Sequence, residues 1–233
     1  MMSMDDQLRL FKLLGETLKE RVECVVIGGS AMMFHNSKAS TKDVDLVSLN
    51  NKNFRLLKDA LLKIGFKQRS FRFKYQDLSE ENPIFLENKE KERIDLFIKE
   101  VVCFEISNSI LSRIKEMHEF SNLIVKVISP EDIILLKCAT ERPGDRLDAA
   151  ELIKNFNIKW NIIIEEAVSQ SKIGKGIFSI FLYDFLIDLK EDFKVEIPKD
   201  VLKKLMDIGE DSIINAMKDG TLVREKRFTK RIK

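Results

Sequence analysis

The sequence predicts an α+β fold: a mixed β-sheet with flanking helices over residues 1–128, then a helical half over residues 129–233. Three patterns predict it. Short apolar or alternating runs, rich in β-branched and aromatic residues and bounded by turn formers, recur through the first half. Amphipathic segments with helical spacing lie between some of them. Beyond Ser129-Pro130 the alternating pattern stops and only helical spacing remains.

Residues 5–20 place Leu8, Phe11, Leu14 and Leu18 on one face of a helix. Residues 22–27 form a continuous apolar run that stops at Gly28-Gly29, the pattern of a buried strand closed by a tight turn. Ser30 is the candidate N-cap of a short helix reaching His35. Residues 43–48 alternate as a strand, and residues 51–64 put Phe54, Leu57, Leu61 and Ile64 on a helical face stopped by Gly65. Residues 66–75 alternate aromatic with basic side chains, which predicts a strand with one wet face. Strands are expected at residues 83–87 and 92–98 around the polar turn 88–91, and β-rich chain continues over residues 101–106. A helix over residues 109–118 and a strand over residues 123–128 complete the first half. Ser129-Pro130-Glu131-Asp132 then opens a helix, with a cap, a first-turn proline and acids near the positive end of the dipole. Helices follow over residues 130–141, 145–155, 160–170, 176–188 and 199–218.

The chain has 233 residues, 44% of them hydrophobic, which is enough to bury a core and excludes a disordered sequence. A net charge of +2 excludes the global basic field of an obligate nucleic-acid binder. Charge is uneven, however: residues 224–233 are strongly basic and read either as a solvated end or as a contact for a polyanion. Cys24, Cys103 and Cys138 sit among apolar residues without metal-ligand spacing, as reduced buried thiols do. Neither a signal peptide nor a stretch of membrane-spanning length is visible, so a cytoplasmic protein is expected.

Three motifs carry chemistry. Val25-Val26-Ile27-Gly28-Gly29-Ser30 ends a strand where backbone can approach a ligand closely and helix-start N–H groups can cradle a phosphate; a plain turn gives the same pattern. Thr41-Lys42-Asp43-Val44-Asp45-Leu46 puts Asp43 and Asp45 on one strand face, where their carboxylates repel unless a cation lies between them; a solvated face is the bland reading. Asp95 stands in the apolar run Ile94-Asp95-Leu96-Phe97-Ile98, where a carboxylate is costly unless paired, by Arg93 or Lys42, or metal-bound. If the Asp95 strand lies beside the Asp43 strand, a cluster able to hold two metals results.

Together these residues resemble the DNA polymerase β-like nucleotidyltransferase superfamily, whose pattern is an apolar strand, Gly-Gly or Gly-Ser, a short helix, Asp-x-Asp and a later Asp. Lys137, Arg142, Asp145 and Asp148 extend the likeness to minimal nucleotidyltransferases similar to AbiE-type toxin components. The resemblance covers residues 22–152. It implies that Asp43, Asp45 and Asp95 are catalytic and hold Mg²⁺ or Mn²⁺, and that Gly28, Gly29, Ser30, Lys38 and Lys137 bind an NTP such as ATP. Lys38 stands where many relatives carry an Arg and lacks its bidentate fork. Lys137, set among Ile133, Ile134, Leu135, Leu136 and Cys138, either finds an anion, for which triphosphate would serve, or snorkels to solvent. Arg142 either pairs with Asp145 or Asp148 or reaches a phosphate.

Two functions of different class are expected from this. One is a metal-dependent nucleotidyltransferase acting on an acceptor hydroxyl of RNA (a tRNA end among them), protein or a small molecule such as an aminoglycoside. The other is a non-catalytic nucleotide- or RNA-binding protein on the same fold. The complete set of acids favours the enzyme, because a silent fold needs none of these charges.

Overall fold

The computed structural model describes residues 1–69, 83–140, 142–173 and 178–218. The first half comprises β1 (Met2–Ser3), α1 (Met4–Thr17), β2 (Val22–Ile27), α2 (Gly28–Phe34), β3 (Ser40–Thr41), β4 (Val44–Ser48), α3 (Asn51–Lys63) and β5 (Lys67–Gln68). It continues with β6 (Ile84–Glu87), β7 (Arg93–Ile98), β8 (Glu100–Val101), β9 (Phe104–Glu105), α4 (Asn108–Arg113), β10 (Glu116–Phe120) and β11 (Leu123–Val127). The second half is helical: α5 (Pro130–Thr140), α6 (Pro143–Asn155), α7 (Trp160–Lys172), α8 (Phe178–Phe193) and α9 (Lys199–Lys218).

The main sheet has the order β10-β11-β2-β4-β7-β6-β5 and is mixed. Strand β11 runs parallel to β2 and β4 parallel to β7, while the other neighbours are antiparallel. Side-chain caps set the helix starts: Ser3 and Asp6 form a capping box on α1, and Asn50 accepts from the Asn53 N–H at α3. Helices α1 and α3 pack against each other and against strands of the sheet. Helix α5 is different: Ile133, Ile134, Leu135, Leu136 and Cys138 are buried all round it, because α2, α6, α7 and α8 pack against it. A single apolar cluster therefore runs from Val25 and Leu46 in the sheet to Leu135, Phe178 and Phe185 in the helical half.

Most expected elements form, with ends moved by a few residues. Three expectations change. Ser30 is not a cap: α2 starts at Gly28, and the buried Ser30 hydroxyl faces the Asp43 carbonyl at 3.5 Å. The helix expected over residues 109–118 stops at Arg113, and Glu116–Phe120 becomes an edge strand. The reason is the turn at Ser121, with φ 53°, which folds alternating chain back onto β11 as a hairpin. Cys103 is only half-buried, whereas Cys24 and Cys138 are buried, and burial pushes the Cys24 thiol up to about 12. Of the strand expected over residues 66–75, Lys67–Gln68 forms and residues 70–82 lie outside the described residues, as does the basic segment 224–233. No helix among the described residues is long and apolar enough to cross a membrane.

Candidate active site

The carboxylates meet because of strand order. Asp45 on β4 stands directly beside Asp95 on β7, in the parallel register that also pairs Leu46 with Leu96. The adjacency expected of these strands is present, although Asp95 follows Asp45 by a long stretch of chain. Asp43 precedes the first residue of β4 and is half-buried, as are Asp45 and Asp95. Val44 and Leu46 are fully buried, so the alternation holds the acids on the opposite face.

The glycine turn closes on this face. Gly28 has φ +59°, and a Cβ built there would lie 2.4 Å from Asp45 Oδ2. A Cβ on Gly29 would lie 2.6 Å from Thr41 Oγ1, and that hydroxyl donates to the Asp43 carbonyl at 3.0 Å. Glycine is needed at Gly28 for its backbone conformation as well as for space. The turn is thus fitted to the acidic strand by direct contact.

Like charges dominate the electrostatics. Burial, then the Asp43 and Asp95 carboxylates, hold Asp45 well above the usual carboxylate range. Burial and Asp43 push Asp95 up to about 7, against the opposing pull of Arg142, Arg93 and Arg69. Carboxylates that raise one another in this way have the chemistry of a donor set for a hard divalent cation. Their chemistry is of the kind Mg²⁺ or Mn²⁺ takes, which makes Asp43, Asp45 and Asp95 the candidate ligands. Among the described residues, no three His, Cys, Asp or Glu side chains form a ready-made metal cage. Mg²⁺ draws remaining oxygens from water and substrate phosphate, so its protein ligands need not form one.

Beside the acids lies a paired ion network. The buried Lys137 ammonium donates to Asp145 Oδ1 at 2.8 Å and to Asp148 Oδ2 at 2.6 Å. Lys38 donates to both oxygens of Asp148, at 2.7 and 2.8 Å. The second Asp145 oxygen accepts from Thr140 Oγ1 at 2.7 Å and from Arg142 N and Nε, each at 3.0 Å. Burial presses Lys137 down, but Asp145 and Asp148 outweigh it and its pKa is raised. Lys137 therefore does not snorkel; it has found anions inside the protein. Lys38 likewise spends its charge on Asp148. Arg142 links the two groups, pairing with Asp145 while its charge also acts on Asp45, Asp43 and Asp95.

Sequence reasoning missed Thr41, Phe85 and Arg69 and saw Arg93 only as a partner for Asp95. Arg69, Phe85, Leu86 and Arg93 line a cavity of about 110 Å³ together with Asp43 and Asp95. Only the aromatic-basic alternation near residue 69 hinted at them.

The family described as "nucleotidyl transferase of unknown function (DUF2204)" matches residues 7–207. No curated protein matches the chain. Among solved structures, the chain is similar to ANT(2″)-Ia in complex with adenylyl-2″-tobramycin, at 14% identity over 72% of this chain and 98% of that one, with a TM-score of 0.48. It is also similar to a putative nucleotidyltransferase from H. pylori, at 14% identity over 95% and 96% of the two chains, TM-score 0.39. An antigenic nucleotidyltransferase-like protein from Paracoccidioides brasiliensis gives 17% identity over 88% and 94%, TM-score 0.41.

Proposed function

The chain belongs to this nucleotidyl transferase family, and from that premise we propose that it moves a nucleoside monophosphate from an NTP to an acceptor hydroxyl, with Mg²⁺ or Mn²⁺ as cofactor. The observation that carries the reading is the Asp45–Asp95 register, with Gly28 closed against the Asp45 carboxylate. Gly28 and Gly29 offer backbone to the phosphates, with Ser30 behind them. Asp43 and Asp45 would hold the cation that travels with the triphosphate, and Asp95 would hold the one on the acceptor side. When bound, the cations neutralise the triphosphate and the developing charge of the transition state. The acceptor oxygen bonds to the α-phosphorus, the bond from that phosphorus to pyrophosphate breaks, and Asp95 takes the acceptor's proton.

Lys137 and Lys38 act on the nucleotide in this reading from within their ion network. Residues 1–128 form the catalytic unit and residues 129–233 a helical unit that supports it through α5. The Lys137, Arg142, Asp145 and Asp148 pattern supports a grouping with minimal nucleotidyltransferases similar to AbiE-type toxin components. Free cysteines suit a reducing compartment, which supports a cytoplasmic location.

The test is Asp95→Asn. Transfer of α-label from NTP should fall by about 100-fold or more, while NTP affinity measured by titration stays within about twofold, because the charge acts mainly in the transition state. Transfer near the wild-type rate would make Asp95 a structural acid and end the three-carboxylate mechanism.

A further inference from the structure

Helix α1 packs beside α2, and two of its contacts there differ in kind. Phe11 of α1 stacks on Phe34 of α2, with ring centroids 6.4 Å apart. One helical turn earlier on each helix, Gln7 meets Ser30. Gln7 is 0% exposed, and its Nε2 donates to the Ser30 carbonyl at 3.5 Å. Its Oε1 is buried with no hydrogen-bond partner among the described residues. An apolar side chain would be more stable there, because an amide oxygen buried without a partner opposes folding. What the amide adds is direction: a hydrogen bond depends on angle, whereas apolar packing does not. Ser30 follows Gly28-Gly29, so that direction is imposed on the glycine turn.

The same N-terminal segment holds the other wall of the site. Strand β1 pairs with β3, Met2 opposite Thr41 and Ser3 opposite Ser40. Met2 and Thr41 are both buried. The Thr41 hydroxyl lies against Gly29 and donates to the Asp43 carbonyl at 3.0 Å. Between the two holds, the Ser3–Asp6 capping box fixes the angle at which β1 leaves α1. Residues 2–7 therefore grip the glycine turn at one end and the approach to the acids at the other.

We propose that residues 2–7 are a positioning clasp for the nucleotide site, with Gln7 setting the glycine turn through Ser30 and Met2 setting Asp43 through Thr41. This rests on the nucleotidyl-transfer reading. Neither Gln7 nor Met2 touches substrate. Each acts through an element that does, so its loss displaces the groups that receive the metal and the phosphates.

Gln7→Met keeps the length of the side chain and removes both polar atoms. Titrated with ATP in the presence of Mg²⁺, it should bind about tenfold more weakly than wild type, with Tm unchanged or higher because the unpaired oxygen goes with the amide. Asn50→Ala supplies the contrast. It removes the cap of α3 and should lower Tm by about 2–4 °C, while Mg²⁺-ATP affinity stays within about twofold. Unchanged affinity in Gln7→Met overturns the proposal. So does an equal loss of affinity in Asn50→Ala, since the site would then answer to any loss of stability. If Gln7→Met does not fold, Met2→Gly is set against Asn50→Ala in the same way. If wild type binds no nucleotide, the transfer reading fails on its own, and hydrogen exchange of the metal-free protein decides the clasp. Amides of residues 28–34 in Gln7→Met, and of residues 40–43 in Met2→Gly, should exchange at least about tenfold faster than in wild type, with those of α3 unchanged. Equal protection in wild type and variants removes the clasp.

Discussion

The molecule keeps its sheltered charges in two opposite ways. At the sheet, Asp43, Asp45 and Asp95 gather like charges, and burial with mutual repulsion drives Asp45 and Asp95 upward. Around the acids of the helical half, opposite charges are matched. Lys137 sits between Asp145 and Asp148, and Arg113 bridges Asp132 and Glu166, with Glu166 also accepting from Ser107, Ser109 and Gln170. These charges are matched by partners within the protein. The sheet acids raise one another, opposed only in part by Arg142, Arg93 and Arg69. Charge left unsatisfied by its own fold is what marks the sheet acids, rather than the matched pairs, as the candidate site.

Substitutions can break that contrast, and the largest effect should come from the matched network. Lys137→Met leaves Asp145 and Asp148 short of their buried partner and should destabilise the protein by about 3–5 kcal/mol in urea titration. A loss under about 1 kcal/mol would show that Lys38 and Arg142 carry the acids alone, and that Lys137 is free to serve the nucleotide.

An intermediate effect belongs to the turn that joins the two systems. Gly28→Ala forces an L side chain into the left-handed region and against the Asp45 carboxylate, at an expected cost of about 1–3 kcal/mol. Divalent metal with NTP should then protect the variant less than wild type in a thermal melt. Equal protection would detach Gly28 from the nucleotide site.

The smallest effect has the opposite sign and sharpens the comparison most. Asp45→Asn removes a charge that burial and its neighbours already resist, so metal-free stability should rise by about 1 kcal/mol, a Tm increase of roughly 2–4 °C for a chain of this size. Mg²⁺ with NTP should raise Tm in wild type and hardly in the variant. A metal-free Tm that falls would mean that the protein compensates Asp45 internally, as it does Asp145.

Different parts of this were legible for different reasons. The Gly28-Gly29 turn, the alternation around Asp45 and the start of α9 were readable because each depends on neighbours within a few residues. Helix α4 was overextended because Lys115-Glu116-Met117-His118 satisfies a helix as readily as an edge strand, and only pairing with β11 decides between them. The position of Phe85 beside Asp95 was hidden because nothing local distinguishes it from Ile84. Its partner across the strands, Asp95, is what places it at the site. From sequence Lys137 either finds an anion or reaches solvent, and only the packing of α6 against α5 supplies the anions, Asp145 and Asp148.

By itself the sequence determined the sheet-then-helix order, the glycine turn and the shared face of Asp43 and Asp45. These follow from backbone periodicity and turn chemistry, whose range is a handful of residues. Tertiary structure alone decided that Asp95 lies against Asp45, that Lys38 crosses from the sheet half to meet Asp148, and that Phe85 and Arg69 extend the acidic row. Strand order and register are set by the global packing of apolar faces, so residues remote in the chain become neighbours only once the core has closed.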